Sequence, residues 1–249
     1  MLSNISLKRA LRRDVSIYPF PAIEGASFDL TSSKYAWILS TKARAEVKND
    51  EEKEIISIPP RDTMIMLTAE AISVSKKYAG IAKVRVTQAC KGILSSTSPL
   101  KPGFHGRLVV AMYNSTDEPI DIILGEGIVV IMLFRLKKSA SIEKGNGTEK
   151  RLALLPGLGY KLSPELQNEI YCDAYLNADE IQKSMKREPK YQEFKRFHLN
   201  SHVVFSFLLF VACMVFSWLI IQQDPGYHIG DLLLIPLWSL FITKVQEDF

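Results

Sequence analysis

Two short stretches of this 249-residue chain hold side chains suited to an anion. In Arg85-Val86-Thr87-Gln88 a guanidinium stands two residues from a hydroxyl. That pairing suits phosphate oxygens, because the planar fork donates in pairs and the hydroxyl adds a further donor. In Lys101-Pro102-Gly103-Phe104-His105-Gly106 a cation opens a turn whose two glycines let the backbone approach a ligand closely. Arg107 follows at once, and the three cations together fit a polyanion. The competing reading of Arg85 is an ordinary surface ion pair on a strand.

Other chemistries find no support. Cys90, Cys172 and Cys213 are far apart, with no CxxC pair and no histidine at ligand spacing; neither a disulfide framework nor a structural zinc is expected. The chain contains no GxxxxGK[ST], HExxH or GxSxG pattern.

The elements that must position these residues are mainly β. Tyr35–Ser40, Glu54–Ile58, Thr63–Ala69, Ile81–Thr87, Gly106–Tyr113, Pro119–Leu124 and Ile128–Leu136 are short runs rich in branched and aromatic residues. Pro, Gly, Asp and Asn clusters separate them, which predicts a sandwich, barrel or jelly roll. There is no room for the crossover helices of a parallel α/β fold. Residues 5–13 predict a short amphipathic helix whose basic face is solvated, the alternative being contact with phosphates or lipid.

After residue 136 the composition changes. Lys137–Arg151 is polar and reads as a linker or exposed loop. Pro164–Phe197 is helical in composition, with Ser163-Pro164-Glu165 as its start and Pro189 as a break. Residues 137–200 are therefore expected to form a linker and amphipathic helical connector.

The last part of the chain is apolar. His202–Ile221 has no charged residue and the length to cross a bilayer core of roughly 30 Å; the alternative is a buried core helix. Ile229–Thr243 is shorter and contains Asp231 and Pro236, so it is either a second span or a re-entrant segment. Lys195 and Arg196 precede the first segment, Lys244 follows the second, and the turn between them has no Lys or Arg. That asymmetry predicts a transmembrane hairpin over 201–244 with both chain ends cytoplasmic.

The net charge of +4 and pI near 8.8 have a local source in Lys183, Lys186, Arg187, Lys190, Lys195 and Arg196. A nucleic-acid polymer is therefore not the expected partner. The N-terminus lacks an apolar core of signal-peptide length, so the β region is expected in the reducing cytoplasm.

Taken in order, Gly25–Leu30, Arg85–Ala89, Pro102–Gly106, Tyr113-Asn114 and Gly127–Phe134 resemble the motif series of the dCTP deaminase/dUTPase family. The Leu7–Pro19 lead-in and Pro60-x-x-Thr63 extend the likeness over about residues 7–136, roughly half the chain, within a domain expected over 1–136. The resemblance implies a distorted β jelly roll that assembles as a homotrimer, with nucleotide sites between subunits. It assigns Arg85, Thr87 and Gln88 to phosphate binding, and Lys101, Gly103, Phe104, His105 and Gly106 to the pocket turn.

The departures from the family pattern concern catalysis. Where dUTPases carry an aspartate before the turn, this chain has Lys101, which is protonated at neutral pH. Where deaminases carry a glutamate before Tyr-Asn, it has Ala111. Cys90 falls near an expected arginine and Ile131 near an expected glutamine, and the glycine-rich closing arm is not visible. His105, Glu70 and Asp62 are the remaining acid–base groups of interest, but neither carboxylate matches a motif position. Cys90 reads as a small core residue.

No residue is therefore assigned as catalytic or metal-ligating. No cofactor is called for, although Mg2+ would accompany a nucleoside triphosphate. The expected function is a membrane-anchored nucleotide or cyclic-nucleotide binder, in layout similar to bacterial defence effectors that join a sensing β domain to two membrane helices. The alternatives are an active membrane-attached dCTP deaminase or dUTP pyrophosphatase, and a trimeric scaffold.

Overall fold

The computed structural model describes residues 1–50, 53–96, 98–141, 145–146, 153–160, 163–166, 168 and 177–196. The chain divides after Tyr191, and Met1–Tyr191 is the first compact unit.

This unit opens with helix α1, Asn4–Arg13, capped by Ser3 accepting from the Ser6 N–H at 3.3 Å. Leu7, Ala10 and Leu11 recur at helical spacing and are buried, as the 5–13 reading requires. Strands β1 (Val15–Tyr18) and β2 (Ile23–Glu24) follow, then the long β3, Ser27–Ile38. Next come β4 (Lys48–Asp50), β5 (Lys53–Ile58), a second long strand β6 (Thr63–Val74) and β7 (Tyr78–Val84). A five-residue helix α2 (Val86–Cys90) interrupts the strands before β8 (Ile93–Leu94), β9 (Ser98–Leu100) and β10 (Phe104–Asn114). The β region closes with β11 (Ile120–Ile123) and β12 (Gly127–Arg135).

The main sheet runs β10-β6-β3-β12-β7-β9, and β11-β5-β4 forms a separate three-stranded sheet. Strand β6 is long enough to serve two neighbours on one side. Its first half pairs with β3, and its second half, Ala71–Val74, pairs with β1. The fold is mainly β, as the spacing of short apolar runs predicts.

Alternation along β10 fixes the site face. Phe104, Gly106, Leu108, Val110, Met112 and Asn114 are buried on one face, and the intervening residues share the other, where Arg107 packs over the Tyr35 ring, Val109 joins the Tyr35–Trp37 cluster and Ala111 is exposed. The register against β6 slips between Arg107 and Val109. There the Thr68 hydroxyl accepts the Leu108 N–H at 3.0 Å, so the ladder irregularity leaves that donor satisfied.

Two expectations change beyond residue 136. The polar stretch is not only a linker: β13 (Gly145–Asn146) lies parallel to Phe104–His105. After helix α3 (Leu154–Gly157), Tyr160 and Leu166 join Leu155 in a cluster with Tyr35, Trp37 and Leu67. Apolar side chains inside a polar neighbourhood had a core to cover, so the compact unit continues to Tyr191.

The Ser163 hydroxyl accepts the Leu166 N–H at 3.2 Å, the cap predicted there. Helix α4 (Ala178–Arg187) starts on an Asn177/Glu180 capping box. It ends before Pro189, and residues 189–196 are helical again. The hairpin expected over 201–244 lies outside the described residues. Among the described residues no helix is long and apolar enough to cross a membrane.

Candidate functional site

Strand β7 stops at Val84, not at Thr87 as expected: the Arg85 N–H still donates to the Ile128 carbonyl of β12 at 3.0 Å, and the chain then turns into α2. Arg85 is the N-cap, and its carbonyl accepts from Gln88 and Ala89. Its guanidinium Nη1 lies 3.0 Å from Asp29 Oδ2, with both side chains partly exposed. Gly127 permits this path: a Cβ there would stand 2.8 Å from Arg85 Nη1 and 3.4 Å from Asp29 Oδ2.

The neighbours of Arg85 separate by burial. Thr87 is exposed beside it. Gln88 is fully buried and donates from Nε2 to the Gly127 carbonyl at 3.3 Å, so it braces α2 against β12 from within. Cys90, expected in the core, is exposed. A helix this short turns its C-terminal end to solvent, and only Gln88 of its residues is buried.

The second group builds the entry to β10. Lys101 is exposed, and its carbonyl accepts the Phe104 N–H at 3.1 Å. Gly103 at φ +74 and Gly106 at φ +117 occupy backbone conformations that side-chain-bearing residues rarely adopt. Phe104 is buried and anchors the turn, while His105 is half-buried beside β6.

The two groups do not meet within one chain. Strand β7 pairs with β9 so that Gly80 faces Leu100 and Ala82 faces Ser98. Arg85 therefore lies past one end of this ladder and Lys101 past the other. Six residues at about 3.3 Å each put roughly 20 Å between them. The expectation that Lys101 stands beside Arg85 is met only if another copy brings the turn across.

A cavity of about 260 Å³ opens on the sheet beside the Arg85 end. Ala82, Lys83 and Val84 of β7 line it together with Ser95, Ser96 and Ala111. Ala111 is exposed, on the outward face of β10, so a longer side chain there would reach into the opening. At this position the cavity offers a methyl group and no acid or base.

The Tyr113-Asn114 pair of the motif series divides its duties. Asn114 is fully buried and its Nδ2 donates to the carbonyls of Ile58, Pro59 and Glu118 at 2.7–3.1 Å. Its Oδ1 accepts from the Thr116 N–H and hydroxyl. Asn114 therefore holds the β10–β11 turn and is not presented to a ligand.

The remaining acid–base groups have structural partners. Both Glu70 oxygens are hydrogen-bonded by Thr31, from N–H at 2.7 Å and hydroxyl at 2.8 Å. Burial pushes this carboxyl above its ordinary range, while those bonds and the Arg107 charge oppose the shift. Asp62 accepts from the Thr63 N–H and from the Ser40 N–H and hydroxyl, which ties down a turn. Among the described residues no three His, Cys, Asp or Glu side chains gather as a metal-ligand set.

Residues 1–136 match the model of the dCTP deaminase-like family. The dCTP deaminase of Pyrococcus horikoshii is 30% identical over 129 residues, covering 51% of this chain and 80% of that protein. That of Pyrococcus furiosus is 29% identical over 132 residues, covering 52% and 81%. The solved 2′-deoxycytidine 5′-triphosphate deaminase from Agrobacterium tumefaciens aligns at 14% identity and a TM-score of 0.43, over 61% of this chain and 51% of that one.

Proposed function

We propose, from the premise that this chain belongs to the dCTP deaminase-like family, that it is a membrane-anchored nucleotide-binding protein lacking the family's catalytic carboxylates. One observation carries the reading. The cavity that would take the reacting ring is walled by Ala111, where the resemblance calls for a glutamate. Proton transfer needs a group of suitable pKa within hydrogen-bond reach, and a methyl group provides none. What the site retains is binding chemistry: Arg85 and Thr87 toward phosphate, Lys83 and two serines around the opening.

The cavity is slightly smaller than the roughly 300–1,000 Å³ of small-molecule pockets, so it holds one ring and leaves the phosphates outside. The separation between Arg85 and the Lys101–Gly106 turn supports a site shared between copies, with a homotrimer as the family-like assembly. Mg2+ would arrive with a triphosphate as part of that ligand. Membrane anchoring is supported by the uncharged stretch His202–Ile221 and the cations that flank it. Occupancy of three shared sites would then bias packing of the apolar segments, provided the ligand has differential affinity for two arrangements.

A second reading, an active deaminase, is favoured by the relatives named dCTP deaminase. One experiment separates the two. The full chain in detergent is incubated with dCTP, dUTP and cyclic nucleotides, with Mg2+, while thermal shift and product are both recorded. The binding reading expects a shift with at least one nucleotide, lost in Arg85→Ala, and no product. Deaminated or hydrolysed product that disappears in Arg85→Ala overturns it.

A further inference from the structure

The basic residues of α1 and α4 lie about 170 residues apart in sequence. The fold brings the two helices to one strand. Helix α1 leads directly into β1, and α4 rests on the same strand, with the Ile17 N–H donating to Met185 Sδ at 3.2 Å. Just beyond, the Phe20 N–H donates to Glu188 Oε2 at 2.6 Å, and the Phe20 and Tyr191 rings meet edge-on at 5.3 Å. Burial raises the Tyr191 phenol, and the charge of Arg12 from α1 is close enough to oppose it.

Each helix keeps its apolar stripe for the body of the unit. Leu7, Ala10 and Leu11 of α1 are buried, while Arg9 and Arg13 are exposed. Ile181 and Met185 of α4 are buried, while Lys183, Lys186 and Arg187 are exposed, followed by exposed Lys190. Residues 1–13 and 178–191 hold eight Lys and Arg against three carboxylates, more than the net +4 of the whole chain. Two of those carboxylates are engaged, Glu180 in its capping box and Glu188 on Phe20.

We infer that the outer faces of α1 and α4 form one surface that docks on anionic phospholipid headgroups. Two observations favour lipid over nucleic acid. Ile5, on the same outward side of α1 as Arg9, is 67% exposed and Met1 is 70% exposed, so apolar groups accompany the cations. Among the described residues no large exposed hydrophobic is aromatic, so the surface lacks a platform for stacking bases. The inference rests on the membrane reading above, in which the uncharged stretch beginning at His202 follows Tyr191 by eleven residues in sequence.

The test uses the full chain reconstituted into phosphatidylcholine vesicles with and without phosphatidylglycerol. Tryptic cleavage within residues 8–13 and 183–190 is followed by mass spectrometry. Phosphatidylglycerol is expected to slow these cleavages about fivefold or more, and added salt to reverse the effect. Arg9→Glu with Arg13→Glu, and separately Lys183→Glu with Arg187→Glu, should remove the lipid dependence at the remaining sites while lowering the melting temperature by a few degrees at most, since Arg13 and Arg187 stand in the last turns of their helices. Lys48→Glu with Lys53→Glu, the same charge change on exposed positions of β4 and β5, should leave it intact. A chain that resists alkaline extraction yet shows no phosphatidylglycerol dependence overturns the docking surface alone. Equal protection by a single-stranded oligonucleotide in place of lipid also overturns it. A chain washed from both vesicle types by alkali overturns the membrane reading and this inference with it.

Discussion

The Arg85 guanidinium and the Asp29 carboxylate meet at 3.0 Å where Gly127 leaves no side chain between them. The principal candidate for holding phosphate therefore already holds an internal anion. A ligand must compete with Asp29 or draw Arg85 away from it. Because both groups are partly exposed, the pair itself contributes little to stability, about 0–1 kcal/mol.

Asp29→Asn is accordingly expected to strengthen nucleotide binding severalfold while changing the unfolding free energy by no more than about 1 kcal/mol. Titration calorimetry and urea denaturation check the two halves. Weaker binding in this variant would mean that Asp29 positions Arg85 and does not compete for it.

Gly127→Ala tests the same relationship from below. The new Cβ would lie 2.8 Å from Arg85 Nη1, the mobile end of a long side chain, so the arginine shifts while the fold holds. A change in melting temperature of a few degrees at most is expected, together with clearly weaker nucleotide binding. Unaltered binding would show that the present position of Arg85 does not matter to the ligand.

Much of this arrangement was legible in the sequence. Five of the seven expected strands stand within three residues of their places, but β3 begins eight residues before the expected Tyr35 and β6 runs five residues beyond the expected Ala69; Leu7, Ala10 and Leu11 face inward as helical spacing requires. The end of β7 was not legible. Val86-Thr87 continues a β-branched run, and the remote partner of the helix there is the Gly127 carbonyl, which accepts from the buried Gln88 side chain. The same distant contact decides that Gln88 is buried and Cys90 exposed. Leu155, Tyr160 and Leu166 were hidden for a related reason, since a few apolar residues among polar ones declare a core only once Tyr35, Trp37 and Leu67 are seen to need covering. The distance between Arg85 and Lys101 came from strand register, which residue spacing alone does not reveal.

Glu70 gives a pH dependence with a definite sign. Burial raises its carboxyl above the ordinary 4.5, against the opposing Thr31 bonds and Arg107 charge. In that window the folded chain keeps a proton that the unfolded chain has released. This contribution to stability is complete below 4.5 and is lost as pH rises through the folded value. Glu70→Gln, which imitates the protonated acid, should remove that decline, as read from urea midpoints between pH 4.5 and neutrality. An unchanged slope would assign the decline to another group.

Asn114→Ala should be among the most damaging single substitutions in the β region. It strips the carbonyls of Ile58, Pro59 and Glu118 of a buried donor and leaves the Thr116 N–H without its acceptor. A loss of about 2–4 kcal/mol is expected from chemical denaturation. A loss under about 1 kcal/mol would show that water replaces these bonds readily.

The central claim is that this family member binds a nucleotide and does not transform it. Calorimetric titration of the full chain with dCTP and with dUTP, followed by chromatography of the recovered nucleotide, tests it most directly. Saturable binding of at least one of them is expected, weakened about tenfold or more by Arg85→Ala, with the nucleotide recovered intact. Recovery of a deaminated or hydrolysed product that Arg85→Ala abolishes, or the absence of binding by both, would contradict it.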